Sequence, residues 1–472
     1  MILDPVLRAN SPRYTPEPTP WPSIVIHGGV TVLWLVLLLG AFTFTGIFAW
    51  SVGLVYVAYD TVLLGFTFVQ TWALRGPRPA PRVGPPADLA VIVAAHNEAA
   101  VLPVTLAALF AQSMPPKRIV IADDGSTDTT GNMLTRDFGL TSPSSGQIAD
   151  SATHPGLAWL RLPHGGKAAA LNAALGAIDC EVVLTVDADT LLEPGAIAAI
   201  RAAFAADATL VAATGVLTPV CDRSVGGRLF EWFQAYEYIR NFLSRYAWEQ
   251  VGGLLLISGA FAGFRRDAVI AVGGFDRDCL VEDYELIHRL RRHAARAGLD
   301  WTTAVVGGAR ARTTAPADLA AFLRQRRRWF GGFLQTQYWY RDMVGDRRYG
   351  HLGTWMLPVK AFDTLQPVFG LTAFFLLVWY LALGRVHVLL PVAVVIGTKI
   401  VIDLAFHLWS IRLYRHWAGG APMGSVAAIA ASLVEPFSFQ LLRHTGAALG
   451  WVTFLSGRQT WGKQSRGGLV RG

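Results

Sequence analysis

Charge and cysteine are both scarce in this chain. Only 16% of its 472 residues are Asp, Glu, Lys or Arg, against 53% that are hydrophobic, and the mean hydropathy is +0.38. So apolar a chain cannot cover an ordinary water-facing surface, which excludes a plain soluble enzyme and favours a membrane class. The three cysteines, Cys180, Cys221 and Cys279, stand far apart. Without paired spacing they suggest neither a disulfide framework nor a cysteine metal site, and a reducing cytosol is the simpler setting. There is no repeat of solenoid period. The Pro-rich, polar first twenty residues do not run from a basic start into a short apolar core, so no cleaved signal peptide is expected.

What is present is unevenly placed. Apolar residues crowd both ends and leave a middle with the charges and turns of a soluble enzyme. Ile24 to Ile47 and Phe48 to Trp72 each supply the about 20 apolar residues a span needs, which predicts a transmembrane hairpin with both ends cytosolic. Pro358 to Leu383 and Val388 to Ile411 predict two more spans. The stretch Ser425 to Leu455 is interrupted by Glu435, Pro436, Arg443 and His444, so it reads as one span plus an interfacial helix or as a broken re-entrant hairpin. Asp60 and Asp403 fall inside apolar spans, where a carboxylate requires a partner or a polar path. Pro316 to Tyr340, rich in Arg and aromatics at helical spacing, predicts a helix lying at the interface.

The 41 Lys and Arg exceed the 33 Asp and Glu by eight. Their excess gathers beside the spans: Arg75, Arg78 and Arg82; Arg324 to Arg328; and Arg458, Lys463 and Arg466. That placement fits the positive-inside rule and not a nucleic-acid face, and a basic C-terminus on the cytosolic side predicts an even number of spans. The expected division is a cytosolic tail at 1–22, a transmembrane hairpin at 23–75, a linker at 76–86, a soluble domain at 87–315, interfacial helices at 316–350, a C-terminal transmembrane region at 351–456 and a basic tail at 457–472.

Within the soluble part, Leu89 to Ala95, Arg118 to Ala122, Leu157 to Leu162 and Glu181 to Val186 read as short buried strands. Ala/Leu-rich helical stretches separate them, which predicts a mostly parallel α/β sheet. Thr141 to Pro155 reads as a surface excursion without chemistry. Five polar cues follow the apolar runs. His96-Asn97-Glu98 and Asp123-Asp124-Gly125-Ser126 stand after strands, where α/β folds bind ligands; the second also reads as a turn with a helix cap. Asp187-Ala188-Asp189 ends a strand, and two such carboxylates can hold a hard divalent cation beside a diphosphate, although that pattern alone is more often a solvated loop. Glu282-Asp283 opens a helical run; there a carboxylate either stabilises the helix dipole, the role preferred for Glu282, or acts as a base, the role preferred for Asp283. In Gln325-Arg326-Arg327-Arg328-Trp329, guanidiniums can neutralise a diphosphate and an indole can stack on a sugar, or the arginines can snorkel to headgroups. Lys167, after Gly165-Gly166, lacks the full spacing of a nucleotide-triphosphate loop, so an ATPase is not indicated.

With these cues in this order, the chain resembles the membrane-integrated family-2 glycosyltransferases that include hyaluronan, chitin, cellulose and poly-N-acetylglucosamine synthases. The likeness runs from about Leu89 to Trp329 with the flanking membrane pattern, and the ordered set is far more specific than any one motif. It implies a GT-A domain inserted between transmembrane helices, a UDP-sugar donor, Mg²⁺ or Mn²⁺, and inversion at the anomeric carbon. On that likeness Asn97, Glu98 and Asp124 would meet the nucleotide, with Asp124 at the uridine and Lys167 near the donor. Asp187 and Asp189 would hold the metal and diphosphate, and Asp283 would deprotonate the acceptor. Gln325 and Arg328 would bind the diphosphate, while Trp329, Ser258, Gly259 and Glu282 would line the acceptor site. Val281, where many relatives have threonine, and Tyr284-Glu285-Leu286 depart from the pattern and blur the product branch.

The implied activity is that of a processive hexosyltransferase in the cytoplasmic membrane, its catalytic domain cytosolic and elongation coupled to export. The implied partners are membrane lipids, the donor, a polysaccharide or glycolipid acceptor and accessory secretion subunits, with no nucleic acid. Two other readings share these residues: single transfer to a lipid, as by ceramide glucosyltransferases, and an inactive transport or scaffold subunit, against which the intact carboxylates count.

Overall fold

A computed structural model describes residues 3–76 and 87–457. Arg78, Arg82, Arg458, Lys463 and Arg466 of the expected basic clusters, and most of the expected linker, lie outside the described residues. The soluble part is built on nine strands: β1 Leu89–Ala95, β2 Arg118–Asp124, β3 Ile148–Asp150, β4 Leu157–Leu162, β5 Val182–Asp187, β6 Thr190–Leu192, β7 Leu210–Val220, β8 Phe261–Arg265 and β9 Thr302–Thr314. They form one sheet in the order β3-β4-β2-β1-β5-β8-β7-β9-β6. Strands β1, β2 and β5 are almost wholly buried, as continuous Val/Ile runs covered by helices on both faces should be.

The half of the sheet running β4-β2-β1-β5 is parallel, as its apolar runs predict. Its register sets Ala95 of β1 opposite Asp123 of β2 and Ala94 opposite Asp187 of β5, so three polar strand ends open at one edge. Strand β8 runs antiparallel to β5, with Val186 opposite Phe261, and this return brings the segment before β8 to the end of β5. Strand β6 pairs with β9, and β9 runs parallel to β7. The Thr141 to Pro155 excursion contributes the edge strand β3, which pairs with β4.

Among the described residues, three helices are long and apolar enough to cross a membrane: Trp21–Thr43, Gly46–Gln70 and Val386–Ala418. The hairpin therefore turns at Phe44-Thr45, a few residues before the expected break. Its turn is secured by Tyr380, whose hydroxyl donates to the carbonyls of Ala41 and Ala49 at 2.8 and 2.9 Å, and by Trp50, whose indole donates to the Ala373 carbonyl. Buried carbonyls freed at the ends of the two helices need such partners. The expected span Pro358 to Leu383 is a pair of helices, Leu352–Asp363 and Gln366–Ala382, bent by 40°. Pro367 in the first turn of the second piece explains the break, because it has no N–H to continue the first. Ser425–Phe437 and Phe439–Leu455 form a second pair, bent by 50°. By length and composition the described residues hold three candidate spans, or five if both bent pairs cross; an even count needs one of the two to cross.

The intramembrane acids have a shared partner. The Lys399 ammonium lies 2.6 Å from Asp60 on the Gly46–Gln70 helix and also contacts Asp403, one turn along its own helix. Lys399→Met is expected to strand two carboxylates among apolar helices, a loss of about 3–5 kcal/mol for a broken buried pair. Detergent-solubilised protein should show a clearly lower unfolding midpoint, and adding Asp60→Asn should recover part of it.

Candidate active site

At the end of β1 the chain turns through Asn97, whose left-handed φ of 58° is rare outside glycine. The strain is met locally: the Asn97 side-chain oxygen accepts from the amides of Thr127 and Asp128 at 2.7 and 3.1 Å, and its own amide donates to Ser126 Oγ. Asn97 thus ties the loop after β1 to the loop after β2, a structural task that sequence reading did not assign to it. Glu98 is buried, its amide donating to Thr130 Oγ1. Asp123 accepts from the Ser126 amide and the Trp159 indole, which makes it a framework residue.

Asp124 faces the loop before the Lys167–Gly176 helix. Its carboxylate accepts from the amides of Gly165 (2.7 Å) and Gly166 (3.0 Å), and sits 2.9 Å from His164 Nδ1. Gly125 is required here: it has φ +66°, and a Cβ would come within 2.6 Å of the His164 amide. His96 stacks on His164 with ring centroids 4.4 Å apart, and its Nδ1 lies 2.7 Å from the Asp124 carbonyl. His164 was not singled out from sequence, because it carries no motif of its own and reaches Asp124 only through the sheet. Together the Asp-Asp-Gly turn and the 164–166 loop aim Lys167 along the sheet edge.

Lys167 is the hub of the site. Its ammonium lies 2.5 Å from Asp187 and 3.6 Å from Glu282. Burial works against its charge, but Asp187 and then Glu282 outweigh that and raise its pKa above the ordinary lysine range. Asp187 ends β5, and the Asp187-Ala188-Asp189 turn is pinned on three sides. Thr105 Oγ1 donates to the Ala188 carbonyl (2.6 Å), the Asp187 amide donates to Ala260, and the Thr314 amide donates to the Asp189 carbonyl. Burial first, and then the neighbouring Asp187 charge, push the Asp189 carboxyl up to about 7. Burial, reinforced by Asp283 and opposed by Lys167, raises Glu282 as well.

Glu282 and Asp283 take different partners at the start of the Glu282–Ala297 helix. Asp283 takes the local amide, its Oδ1 accepting from Tyr284 N (2.9 Å), while its Oδ2 accepts from Gly259 N (2.7 Å). Glu282 makes no cap and faces Lys167 from a buried position. The expected cap bond from Glu282 is therefore not made, but its charge stays in the first turn of the helix, where it meets the dipole while it faces Lys167. Glu285, in the departing Tyr284-Glu285-Leu286 run, is fully buried, pairs through two oxygens with Arg289 and accepts from Tyr340, so it is structural.

The helix Leu319–Trp339, capped by Asp318 through the Ala321 amide, closes the site from the other side. Arg328 donates to the Leu280 carbonyl (3.1 Å), two residues before Glu282, and Gln335 accepts from the Leu280 amide. Gly332 permits this approach, since a Cβ there would meet Val281 at 2.6 Å. Gln325 is buried, and its Oε1 has no hydrogen-bond donor among the described residues. Arg326 forms a two-pronged pair with Glu237 at 2.7 and 2.8 Å and covers the Trp329 ring at 4.7 Å. Asp187, Lys167, Glu282, Asp283, Gly259 and Arg328 are thus linked by direct contacts or through Leu280, and Gln325 and Trp329 flank Arg328 on its helix. Asp124 is joined to Lys167 through the Gly165 and Gly166 amides just before it, and Asn97 and Glu98 are tied to the loop after β2. A cavity of about 510 Å³ lined by Glu249, Arg291 and Trp301 lies beside the start of β9 and borders none of these acids.

A mannosyltransferase, PcManGT of Pyrobaculum calidifontis, solved in complex with GDP-Man and Mn²⁺, matches 82% of this chain and 99% of its own, with a TM-score of 0.52 at 22% identity. That likeness is one of fold, and with the mixed sheet it defines a GT-A glycosyltransferase architecture. Residues 85–332, more than half the chain, match the family model described as Glycosyltransferase like family 2, and the chain belongs to that family. It is 27% identical over 301 residues to a hyaluronan synthase of Streptococcus pyogenes, covering 60% of this chain and 64% of that protein. It is 26% identical over 204 residues to a poly-beta-1,6-N-acetyl-D-glucosamine synthase of Staphylococcus epidermidis, covering 43% of this chain and 45% of that one. The chain thus spans less than two thirds of either relative.

Gly259→Ala tests whether Asp283 depends on its backbone seat. The new Cβ would fall 2.8 Å from Asp283 Oδ2 and push the carboxylate aside. Sugar transfer is expected to fall by about 100-fold, as for a misplacement of about 1 Å, with an unchanged circular dichroism spectrum.

Proposed function

We propose that this protein is an inverting glycosyltransferase of the cytoplasmic membrane that moves a sugar from a UDP-sugar to the terminal hydroxyl of a growing polysaccharide, working processively from the cytosolic face and delivering the chain into the bilayer. The observation that carries this reading is the contact series Asp187–Lys167–Glu282–Asp283 at the carboxyl edge of the sheet, closed by the Arg328 helix. The hyaluronan and poly-N-acetylglucosamine synthases among its relatives support a polysaccharide product, with a hexosamine polymer the first choice.

In this reading Asp187 and Asp189 hold Mg²⁺ or Mn²⁺. The donor set suits such a cation: hard oxygens one residue apart, one of them, Asp189, burdened by burial and a like charge that a dication would relieve. The cation supplies charge neutralisation at the diphosphate. Lys167 and Arg328 add positive charge, and the Gln325 side-chain NH2 a hydrogen bond, to the same leaving group, while the unfilled Gln325 Oε1 can accept only from a donor such as a sugar hydroxyl. Asp283, its carboxylate oriented by the Gly259 amide, takes the proton of the acceptor hydroxyl as that oxygen forms its bond to C1 and the C1–O bond to the diphosphate breaks. Attack opposite the leaving group inverts the anomeric carbon. Trp329, one face backed by Arg326, leaves the other to stack on the acceptor sugar, and Ser258, Gly259 and Glu282 border it. Asp124 and the stacked His96 and His164 form the nucleoside end.

Asp283→Asn is expected to reduce transfer to background while leaving UDP-sugar binding within about twofold, because only proton removal is lost; full turnover of that variant would refute the base assignment. Purified protein given labelled UDP-sugars is expected to produce a ladder or long polymer that EDTA suppresses. A single mobile glycolipid would instead establish one-step transfer to lipid, and an EDTA-insensitive rate would remove the metal from the scheme.

A further inference from the structure

Some twenty residues precede the first membrane helix, and nothing in the transfer chemistry calls for them. They are nevertheless folded onto the soluble domain at one place. The helix Asp4–Asn10 buries Leu3 and Leu7 against the turn Gly273-Gly274-Phe275. That turn has φ +91° and +74° at its glycines, and a Cβ at Gly273 would strike the Leu7 backbone. From the opposite side Asn172, on the Lys167–Gly176 helix, both accepts from and donates to the Phe275 backbone at 2.8 Å. The turn is therefore clasped between the N-terminal helix and the helix that begins at Lys167.

Beyond Asn10 the contacts become ionic, with alternating sign. Arg13 binds both oxygens of buried Asp276 at 3.0 and 3.1 Å and Asp278 at 2.8 Å, and its guanidinium lies over Trp339. Glu17 then meets Arg292 at 3.1 Å and Arg296, and Arg292 also binds Asp342. Asn10 lies 2.9 Å from His293 Nδ1 and accepts from Arg292 through its carbonyl. Arg341 donates to Thr19 Oγ1, two residues before the membrane helix starts at Trp21. A cation facing two acids, followed by an anion facing two cations, fixes one register and rejects its reverse.

Most of these contacts fall on the segment that delivers Asp283 or on the Glu282–Ala297 helix that follows it, and the rest, at Trp339, Arg341 and Asp342, fall at the end of the Arg328 helix and just beyond it. Residues 272–281 hold no helix or strand and include two adjacent glycines, so left alone this stretch has many conformations and a high entropic cost of order. We infer that residues 3–20 are a positioning strap, which holds the 273–281 loop in the one conformation that seats Glu282 against Lys167 and Asp283 against Gly259, and fastens it to the first membrane helix. The effect on catalysis rests on the proposed role of Asp283; the effect on the loop does not.

The test uses the full chain in detergent or nanodiscs, with Arg13→Ala, the conservative Arg13→Lys, and Arg8→Ala on the exposed side of the same segment as a control. Amide hydrogen exchange and steady-state transfer are both measured. With Arg13→Ala, exchange across 273–283 is expected to rise by about tenfold or more while β1, β2 and β5 keep their protection. kcat should fall by about tenfold, with KM for the nucleotide sugar unchanged. Arg13→Lys should fall between, and Arg8→Ala should match wild type. Unchanged exchange at 273–283 in Arg13→Ala would overturn the strap. So would a rise spread evenly over the sheet with kcat and KM moving together, which is the mark of general destabilisation. If wild-type protein transfers no sugar, the proposed function fails, and the exchange pattern still decides the strap.

Discussion

Asp187, Asp189, Glu282 and Asp283 crowd the carboxyl edge of the sheet, and like charges so close persist only with a cation among them. Lys167 is that cation in the resting chain, touching Asp187 from one side and Glu282 from the other. Much of the surrounding structure serves to hold these groups still: Thr105 and Thr314 on the Asp187–Asp189 turn, Asn97 and Asp124 on the loops leading to Lys167, and Gly259 on Asp283. Even so, the balance is incomplete, as the raised pKa of Asp189 indicates. An arriving dication with a diphosphate would complete it, which gives substrate binding and charge relief the same origin.

A second set of charges joins this edge to the membrane helices. Arg326, between Gln325 and Arg328, pairs with Glu237; Arg443 reaches both Glu237 and Glu435; and Arg240 reaches Glu435. Gly446 lets the Phe439–Leu455 helix press directly on Arg326, since a Cβ there would collide with the arginine stem. The helix bearing the proposed diphosphate and acceptor groups is thus keyed into the bilayer part by paired charges, which are costly to separate at low dielectric.

Legibility from sequence followed the range of the interaction. Strands β1, β2, β4 and β5 were readable because a buried parallel strand must be a continuous apolar run. The long apolar helices were readable because a bilayer sets a minimum length. The mixed half of the sheet, β6 to β9, was not readable, since the apolar Leu254 to Phe264 stretch and the alternating β9 do not state their pairing partners. The bend at Pro367 carried a local signal that the apolar run around it concealed.

At the site, residue types at strand ends and helix starts were enough to nominate the acids, Lys167 and the Arg328-Trp329 pair. Sequence alone therefore determined which groups are available, through composition, period and spacing. It could not decide that Asn97 would be occupied in holding a loop, that Glu282 would face Lys167 while Asp283 took the amides, that His164 would join Asp124, that Lys399 would answer both Asp60 and Asp403, or that the N-terminal residues would grip the 273–281 loop. Those contacts bring together groups from tens to hundreds of positions apart, and their energies exist only once the sheet register and helix packing have placed both partners in one low-dielectric neighbourhood.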